Sequence, residues 1–282
     1  MKIYRPCINA SAGLQYADCA SNIRFKLRSA SQVYLSGTMT SFVCRDETGC
    51  FCSDSLSSIR GNFPLHTQTS TMTTIHILRH GQGLHNVERG YPFRDPPLTD
   101  LGVRQARHVQ HTIKVQPDLI IVSPMTRTIQ TMYIVFGDLI RNGDTLVKVW
   151  PDLRESHDAI CNKGISRADL AAKFPNLDFS DCPKEWNFPA HTPDDATVRA
   201  ERVRRRLKET ATLGGYKDIL LVAHRGIAAF MVQGDRFKVC EHRSFRFAAD
   251  DEVEEARHGV NVDTGLQQDF GPSLLTQVGK SG

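Results

Sequence analysis

Residues 74–81 read TIHILRHG, a mostly apolar, β-branched run that ends abruptly in arginine, histidine and glycine. A run of this kind predicts a buried β-strand followed by a polar loop. Short apolar runs recur at residues 119–122, 146–150 and 219–223, and we expect another strand, at a sheet edge, over residues 245–248. The continuous apolar character of residues 119–122 is typical of a strand that is covered on both faces.

The segments between these runs have helical patterns. Thr99 has the side chain of an N-cap, Pro124 suits the first turn of a second helix, and residues 194–213 form a third helical pattern. Strands that alternate with helices predict an α/β fold. We expect a three-layer α/β/α domain, with a mainly parallel sheet and helices on both faces.

Polar residues follow each of the first four predicted strands, where ligands bind in such sheets. They are Arg79-His80-Gly81, Ser123 to Arg127, Leu153-Arg154-Glu155 and His224-Arg225-Gly226. Guanidinium groups match phosphate oxygens, a neutral oriented histidine can attack phosphorus, and a carboxyl group can protonate the leaving oxygen. This set therefore indicates a phosphate site.

Four motifs in order carry a resemblance to a known family. Residues 78–86 (LRHGQGLHN), 98–106 (LTDLGVRQA), 123–131 (SPMTRTIQT) and 222–226 (VAHRG) resemble the signatures of the histidine phosphatase superfamily, the phosphoglycerate mutase-like RHG branch. The resemblance covers residues 74–248. It implies a phosphoglycerate mutase-like fold and a hydrolase that works through a phosphohistidine intermediate.

The resemblance also implies a role for each matching residue. His80 would be the nucleophile, Glu155 the proton donor, and His224 a donor to the same phosphate. The phosphate would be held by Arg79 and Arg127, with Gln82 and Asn86 lining the pocket. Water would hydrolyse the phosphohistidine, so that neither a metal nor an organic cofactor is required, and the expected partner is a small phosphorylated metabolite.

A departure from the family pattern after Glu155 narrows the choice of reaction. The run Glu155-Ser156-His157-Asp158-Ala159 lacks the arginine and tyrosine that the mutases carry after the acidic residue, which favours hydrolysis. Asp158 remains a rival to Glu155 as the proton donor. A phosphomutase or bisphosphatase using His80 and a non-catalytic phosphate-binding module remain as alternative functions.

Residues 1–71 differ from the rest of the chain. They are rich in Ser, Thr and Cys, hold five of the eight cysteines, and lack a sustained hydrophobic period. We consider three interpretations: a transit peptide, a disordered tail, or a segment outside the working protein, with Met72 as the natural start. The phosphatase domain is expected over residues 72–250, with a lid near residues 155–195, and residues 251–282 as a terminal helix and an exposed tail.

Composition excludes several classes. The chain has 282 residues, a net charge of +4 and 23% charged residues, which is ordinary for a globular enzyme and argues against a general nucleic-acid binder. No apolar run approaches the roughly 18 residues that a membrane span needs. The cysteines form no CxxC pair, so a zinc ribbon is not supported. We expect a cytoplasmic protein, or a mitochondrial one if residues 1–71 are a transit peptide; the sequence leaves its oligomeric state open.

Two features have an ordinary and a functional interpretation. Residues 199–208 contain five arginines and a lysine, which predict either a solvated helix face or a patch that attracts an anionic partner. His85 and the aromatic residues Phe174, Trp186 and Phe188 are expected either to pack or to contact substrate.

Overall fold

The computed structural model describes residues 72–88, 90–187 and 192–279, and the expectations for residues 1–71 lie outside this part of the chain. The strands are β1 (Thr74–Arg79), β2 (Leu119–Val122), β3 (Leu146–Val149), β4 (Asp218–Ala223), β5 (His242–Phe247), β6 (His258–Val260), β7 (Gln267–Asp269) and β8 (Leu275–Gln277). The helices are α1 (Leu84–Val87), α2 (Asp100–Thr112), α3 (Thr126–Asn142), α4 (Arg167–Lys173), α5 (Pro193–Gly214), α6 (Arg225–Met231) and α7 (Asp250–Ala256). Short 3₁₀ turns lie at Pro151–Leu153 and Ile160–Asn162.

Six strands form the main sheet in the order β3-β2-β4-β1-β5-β8. The first four are parallel, and β5 pairs antiparallel with both β1 and β8. A separate two-stranded sheet contains β6 and β7. The continuous apolar sequences of β2 and β4 match their central positions, where both faces of a strand are covered.

Alternation along the strands divides the core into two layers. Ile75 and Ile77 of β1 belong to one apolar cluster, with α5 and α6, whereas Leu78 belongs to a second cluster, with α2 and α3. Successive side chains of a strand point to opposite faces, so helices cover both sides of the sheet. The expected α/β class, with three layers and a mainly parallel sheet, is confirmed.

The carboxyl ends of the central strands are joined by main-chain hydrogen bonds. The His80 amide donates to the Ala223 carbonyl (3.1 Å), and the Ser123 amide donates to the Val222 carbonyl (3.1 Å). The residues that follow β1, β2 and β4 are thereby held at one edge of the sheet.

Helix starts follow the expected capping chemistry. Thr99 is the N-cap of α2, and its hydroxyl accepts a hydrogen bond from the Gly102 amide. Helix α3 begins at Thr126, two residues after Pro124, and α5 begins at Pro193 with Thr192 as its N-cap. No helix in the described part of the chain is long and apolar enough to cross a bilayer.

The basic stretch of α5 is not a uniformly solvated face. Arg199 and Arg204 are buried, whereas Arg202 and Arg206 are exposed. Arg204 donates to the carbonyls of Phe230 (2.8 Å) and Met231 (3.1 Å), at the carboxyl end of α6. Because the last carbonyls of a helix have no partner within it, this arginine satisfies groups that burial would otherwise leave unpaired.

The segment after Glu155 packs against the core. Leu170, Phe179 and Trp186 are buried in the cluster that contains α2 and α3, and Phe174 packs against it. This placement agrees with the ordinary packing interpretation of Trp186 and Phe174, while Phe188 lies outside the described residues. The lid near residues 155–195 stays a prediction.

The C-terminal segment is not the exposed tail that the sequence predicted. Residues 250–256 form the expected helix, α7, but β8 then adds a sixth strand to the main sheet, beside β5. Phe270, Leu274 and Leu275 are buried. The sequence did not predict β8 because the strand is only three residues long, and because its burial depends on partners that are distant in the sequence.

Truncating a buried β8 side chain should destabilise the whole domain. We expect Leu275→Ala to lower the free energy of unfolding by about 2–4 kcal/mol, because the side chain fills a closed core. The matched control Leu266→Ala changes a leucine that is 65% exposed, and should cost less than about 0.5 kcal/mol. Urea denaturation measures both, and equally small losses would contradict a structural role for β8.

Candidate active site

His80 lies directly after β1 and is buried. Its Nδ1 is 2.6 Å from the Gly81 carbonyl oxygen, which can only accept a hydrogen bond. The proton of the neutral ring therefore resides on Nδ1, and Nε2 carries the lone pair. Burial, followed by the charges of Arg127 and Arg79, holds the pKa of His80 well below its ordinary value. The ring is accordingly neutral at physiological pH, with the lone pair of Nε2 free to act as a nucleophile.

Two glycines allow the loop after β1 to approach α2. A Cβ on Gly81 would lie 2.7 Å from the Gly102 carbonyl oxygen, and a Cβ on Gly102 would lie 2.1 Å from the Gln82 carbonyl oxygen. Both distances are shorter than a real contact allows. The Gly81 amide also donates to the Thr131 hydroxyl of α3 (3.1 Å), so that the loop is fixed from two helices.

Arg127, in the first turn of α3, is fully buried beside His80. Its Nε donates to His80 Nε2 at 3.4 Å, while its terminal nitrogens donate to the Cys161 carbonyl (3.2 Å) and to Asn162 Oδ1 (3.1 Å). Burial lowers the pKa of Arg127, and the charge of Glu155 acts in the opposite direction. The guanidinium therefore directs Nε at His80 Nε2, while its two terminal nitrogens are held by the Cys161 carbonyl and Asn162.

Arg79 is the second arginine of the site. One terminal nitrogen donates to the Phe237 carbonyl at 2.7 Å, and, among the described residues, the buried Nε has no hydrogen-bond partner. Burial lowers the pKa of Arg79. A group that carries positive charge and retains a buried free donor is suited to an anionic oxygen.

His224 follows β4 and faces His80, with the ring centroids 5.1 Å apart. Its Nε2 lies 2.9 Å from the Ser123 hydroxyl, and its buried Nδ1 has no partner within the described part of the chain. If the hydroxyl donates, Nδ1 carries the proton and is available as a donor. Burial and the charge of Arg127 hold the pKa of His224 well below its usual range.

Glu155 is buried against the first turn of α6. One carboxylate oxygen accepts from the amides of Ser156 (2.7 Å) and Ile227 (3.0 Å), and the other accepts from the Gly226 amide (3.2 Å). A Cβ on Gly226 would lie 2.3 Å from the carboxylate, so only glycine permits this approach. Burial raises the pKa of Glu155, but the Ser156 amide and the nearby positive charges outweigh it and leave the pKa below its ordinary value.

The rival carboxylate, Asp158, lies elsewhere. Its side chain is 64% exposed and pairs at 3.7 Å with Lys163. Glu155, by contrast, is buried, and its charge acts on the pKa of both Arg79 and Arg127. The geometry therefore favours Glu155 over Asp158 as a group that can act on a ligand held by these arginines.

Gln82 and Asn86 are both engaged in local structure. Gln82 Oε1 accepts from the Thr99 hydroxyl (2.9 Å), which ties the loop to the start of α2. The exposed Asn86 accepts from the Gly83 amide (2.9 Å) and caps α1. Their expected pocket-lining roles are not visible in these contacts, and both stay predictions.

His85 lies at the same site. Its ring centroid is 5.7 Å from that of His80, and its Nε2 is 3.1 Å from the Asn86 side-chain nitrogen. Its Nδ1 is buried and unpartnered among the described residues. Burial, then the charge of Arg127, lowers the pKa of His85 to about 3, so that it is a neutral imidazole.

Sequence reasoning missed two residues that shape the site, Asn162 and Arg199. Asn162 orients Arg127, and nothing in its local sequence signals this. Arg199 donates to the carbonyls of Asp152, Arg154 and Glu155, and so fixes the segment that carries the carboxylate. The spacing of Arg199 along the sequence could have revealed its burial, because it lies on the buried stripe of α5 that is formed by Ala196, Ala200, Val203 and Leu207.

Within the described ranges no group of three or more His, Cys, Asp or Glu side chains could hold a metal ion.

Several curated proteins resemble this chain. A protein described as a probable phosphatase from Schizosaccharomyces pombe is 40% identical over 121 residues, which is 41% of this chain and 56% of that protein. A phosphoglycerate mutase-like protein from Arabidopsis thaliana is 38% identical over 90 residues, which is 27% of this chain and 32% of the relative. The matched segment therefore spans little more than half of the first relative and about a third of the second.

Solved structures also resemble it. A mycobacterial glucosyl-3-phosphoglycerate phosphatase has 23% sequence identity and a TM-score of 0.42, with 62% of this chain and 90% of that chain covered. A phosphoserine phosphatase mutant from Entamoeba histolytica has 18% identity and a TM-score of 0.42, with 63% and 92% covered.

The sequence profile of the histidine phosphatase superfamily (branch 1) matches residues 75–237, more than half of the chain. This range contains the strand ends and the four motifs that build the site. The chain belongs to the histidine phosphatase superfamily, branch 1.

Proposed function

We propose that the protein is a phosphomonoester hydrolase that transfers the phosphoryl group of a small phosphorylated metabolite to His80 and then to water. The observation that carries the proposal is the neutral His80 ring, with Nδ1 held by the Gly81 carbonyl and Nε2 beside Arg127 Nε. Family membership and the phosphatase among its relatives support the same activity.

In the first step the lone pair of His80 Nε2 attacks phosphorus and the bond to the ester oxygen breaks. Arg79 and Arg127 hold the phosphoryl oxygens. His224 Nδ1 and His85 Nδ1 are buried and have no hydrogen-bond partner among the described residues, so they are further candidate donors. Fixed charges in a buried site stabilise developing negative charge strongly, because they need no reorganisation. In both steps the Gly81 carbonyl accepts a hydrogen bond from His80 Nδ1–H. This bond stabilises the ring when it is phosphorylated and therefore cationic.

The leaving oxygen takes its proton from Glu155. In the ligand-free site the pKa of this carboxyl is below its ordinary value, and a bound phosphate dianion raises it because like charges disfavour ionisation. In the second step Glu155 accepts a proton from water, water attacks phosphorus, and the bond to His80 breaks. This route uses no metal and no organic cofactor.

Phosphate release from a panel of phosphomonoesters tests the proposal. We expect turnover by the wild-type protein and its loss in His80→Ala, since the nucleophile is removed. Release at the same rate by His80→Ala, or no release by a folded wild-type protein from any ester, would overturn the proposed function.

The same assay separates the two carboxylates. Glu155→Gln should slow hydrolysis of an alkyl phosphate by about 10²-fold or more, with a smaller effect on p-nitrophenyl phosphate, whose leaving group needs no proton. The matched control Asp158→Asn changes an exposed carboxylate and should not show this dependence on the leaving group. The reverse pattern would assign the proton donor to Asp158.

The neutral histidines also predict a pH dependence of stability. The pKa values of His80 and His224 are lowered on folding, so the unfolded chain, with ordinary values near 6.5, binds more protons as the pH falls. Stability should therefore fall below about pH 6.5, by about 1.4 kcal/mol for each of these buried residues at pH 5.5.

Urea denaturation at pH 7.5 and 5.5 measures this loss. His224→Asn should reduce the pH dependence, whereas the control His108→Asn changes an exposed histidine on α2 and should retain it. An equal free energy of unfolding at the two pH values would show that these histidines titrate normally in the folded protein.

A further inference from the structure

A buried carboxylate that the proposed mechanism does not use lies at the start of α3. Asp95 is 5% exposed and belongs to the segment between α1 and α2. One of its carboxylate oxygens accepts from the Thr126 amide (2.7 Å), and the other accepts from the Thr126 hydroxyl (2.6 Å). Thr126 is the first residue of α3, and Arg127 follows it directly. The carboxylate therefore holds the immediate neighbour of Arg127.

Asp95 supplies the helix cap that α3 lacks locally. Met125 occupies the N-cap position, and its side chain has no oxygen that could accept from the free amides of the first turn. The carboxylate of Asp95 satisfies one of these amides, and its negative charge lies at the positive end of the helix dipole. Because the cap comes from a residue 31 positions earlier, it ties two separate segments together.

The main chain of Asp95 makes a second connection. Its amide donates to the Lys163 carbonyl at 3.1 Å. Lys163 directly follows a short 3₁₀ turn. That turn supplies the acceptors for both terminal nitrogens of Arg127, which are the Cys161 carbonyl and Asn162 Oδ1. Asp95 thus joins the helix that carries Arg127 to the turn that orients its guanidinium.

The backbone of Asp95 restricts which residues can take its place. Its φ of +48° lies in the left-handed region, which residues other than glycine rarely adopt and which Asp and Asn tolerate best. Strained backbone of this kind persists only where the surrounding contacts hold it. Position 95 therefore needs both a side-chain acceptor and tolerance of positive φ, and Asp and Asn combine these two properties.

The charge of Asp95 also acts on the arginine. Burial raises the pKa of Asp95, and the hydrogen bonds from Thr126 and the charge of Arg127 oppose that rise. Burial lowers the pKa of Arg127, and the charges of Glu155 and then Asp95 act in the opposite direction. Lys173 Nζ donates to the Thr126 hydroxyl at 2.9 Å, which leaves that hydroxyl free to donate to Asp95. The carboxylate thus favours the charged form of the buried arginine.

We propose that Asp95 is a positioning residue for the phosphate site, because it ties the start of α3 to the turn at residues 160–163 and so fixes Arg127 between them. Asp95 acts on a bound phosphate only through Arg127. The inference rests on the proposed function for the role of Arg127, but it can be measured by binding without turnover.

Calorimetric binding of inorganic phosphate to the wild-type protein and two variants tests the proposal. Asp95→Gly permits the positive φ and removes the carboxylate, and we expect the affinity for phosphate to fall about tenfold because Arg127 loses its fixed position. Asp95→Asn permits the same φ and retains an oxygen that can accept from the Thr126 amide, so its affinity should lie within about threefold of wild type. Equal affinities in the wild-type and Asp95→Gly proteins would overturn the proposal.

A double-mutant cycle separates positioning from general destabilisation. If Asp95 acts through Arg127, Asp95→Gly should change the phosphate affinity of Arg127→Lys protein by less than about twofold. The same substitution should retain its effect of about tenfold in Arg79→Lys protein, where Arg127 is intact. Equal losses in the two backgrounds would show that the substitution disturbs the whole site, and would overturn the proposal.

Asp118→Ala is the matched control. Asp118 precedes β2, and one of its carboxylate oxygens accepts from the amides of Lys217 (2.7 Å) and Asp218 (2.9 Å), at the amino ends of the strands. Its loss removes a carboxylate that binds main-chain amides at the opposite edge of the sheet from His80, and should leave phosphate affinity unchanged. A control loss as large as that of Asp95→Gly would show that affinity merely follows stability, and would contradict positioning.

Phosphate release, measured in parallel, distinguishes failure of this inference from failure of the proposed function. Turnover by the wild-type protein with unchanged phosphate affinity in Asp95→Gly would overturn positioning and retain hydrolysis. Absence of turnover with the affinity loss in Asp95→Gly intact would overturn hydrolysis and retain positioning. A folded wild-type protein that binds no phosphate would overturn both.

Discussion

The hydrogen bond between His80 Nδ1 and the Gly81 carbonyl is the constraint on which the rest of the site depends. It fixes the tautomer and directs the lone pair of Nε2 at the place where Arg127 presents a donor. The same loop runs against α2, and a Cβ on either Gly81 or Gly102 would clash with the main chain opposite it. One hydrogen bond within this loop therefore sets the tautomer of His80, and with it the chemistry that the ring can perform.

The buried arginines of the site donate hydrogen bonds mainly to main-chain carbonyls rather than to carboxylates. Arg79 donates to Phe237, Arg127 to Cys161, and Arg199 to three carbonyls of the segment that carries Glu155. A carbonyl satisfies a guanidinium donor without neutralising its charge. The pocket is thereby cationic although its arginines are hydrogen-bonded, which suits the phosphate dianion of the proposed substrate.

The features of the fold that depend on local sequence pattern could be predicted from the sequence. The apolar runs predicted the central strands. The residues after them predicted that His80, Arg127 and His224 meet at one edge of the sheet, because the carboxyl ends of parallel strands lie together there. It also gave Thr99 as a helix cap, since capping chemistry is local.

The features that the sequence did not reveal depend on distant partners. Strand β8 has three residues and is recognisable only beside β5. Asn162 is a single polar residue whose role comes from Arg127, which it meets only in the fold. For Arg199 the sequence predicted either a solvated helix face or a patch for an anionic partner, although its spacing along α5 is that of the buried stripe.

Trapping the phosphorylated enzyme tests the central claim most directly. The protein would be quenched during turnover of a ³²P-labelled phosphomonoester that it hydrolyses, and the bound label mapped by peptide analysis. The account predicts an acid-labile, base-stable phosphate on His80 that is absent from His80→Ala. Steady turnover with no label on the protein, or a label that persists in His80→Ala, would contradict a phosphohistidine at this position.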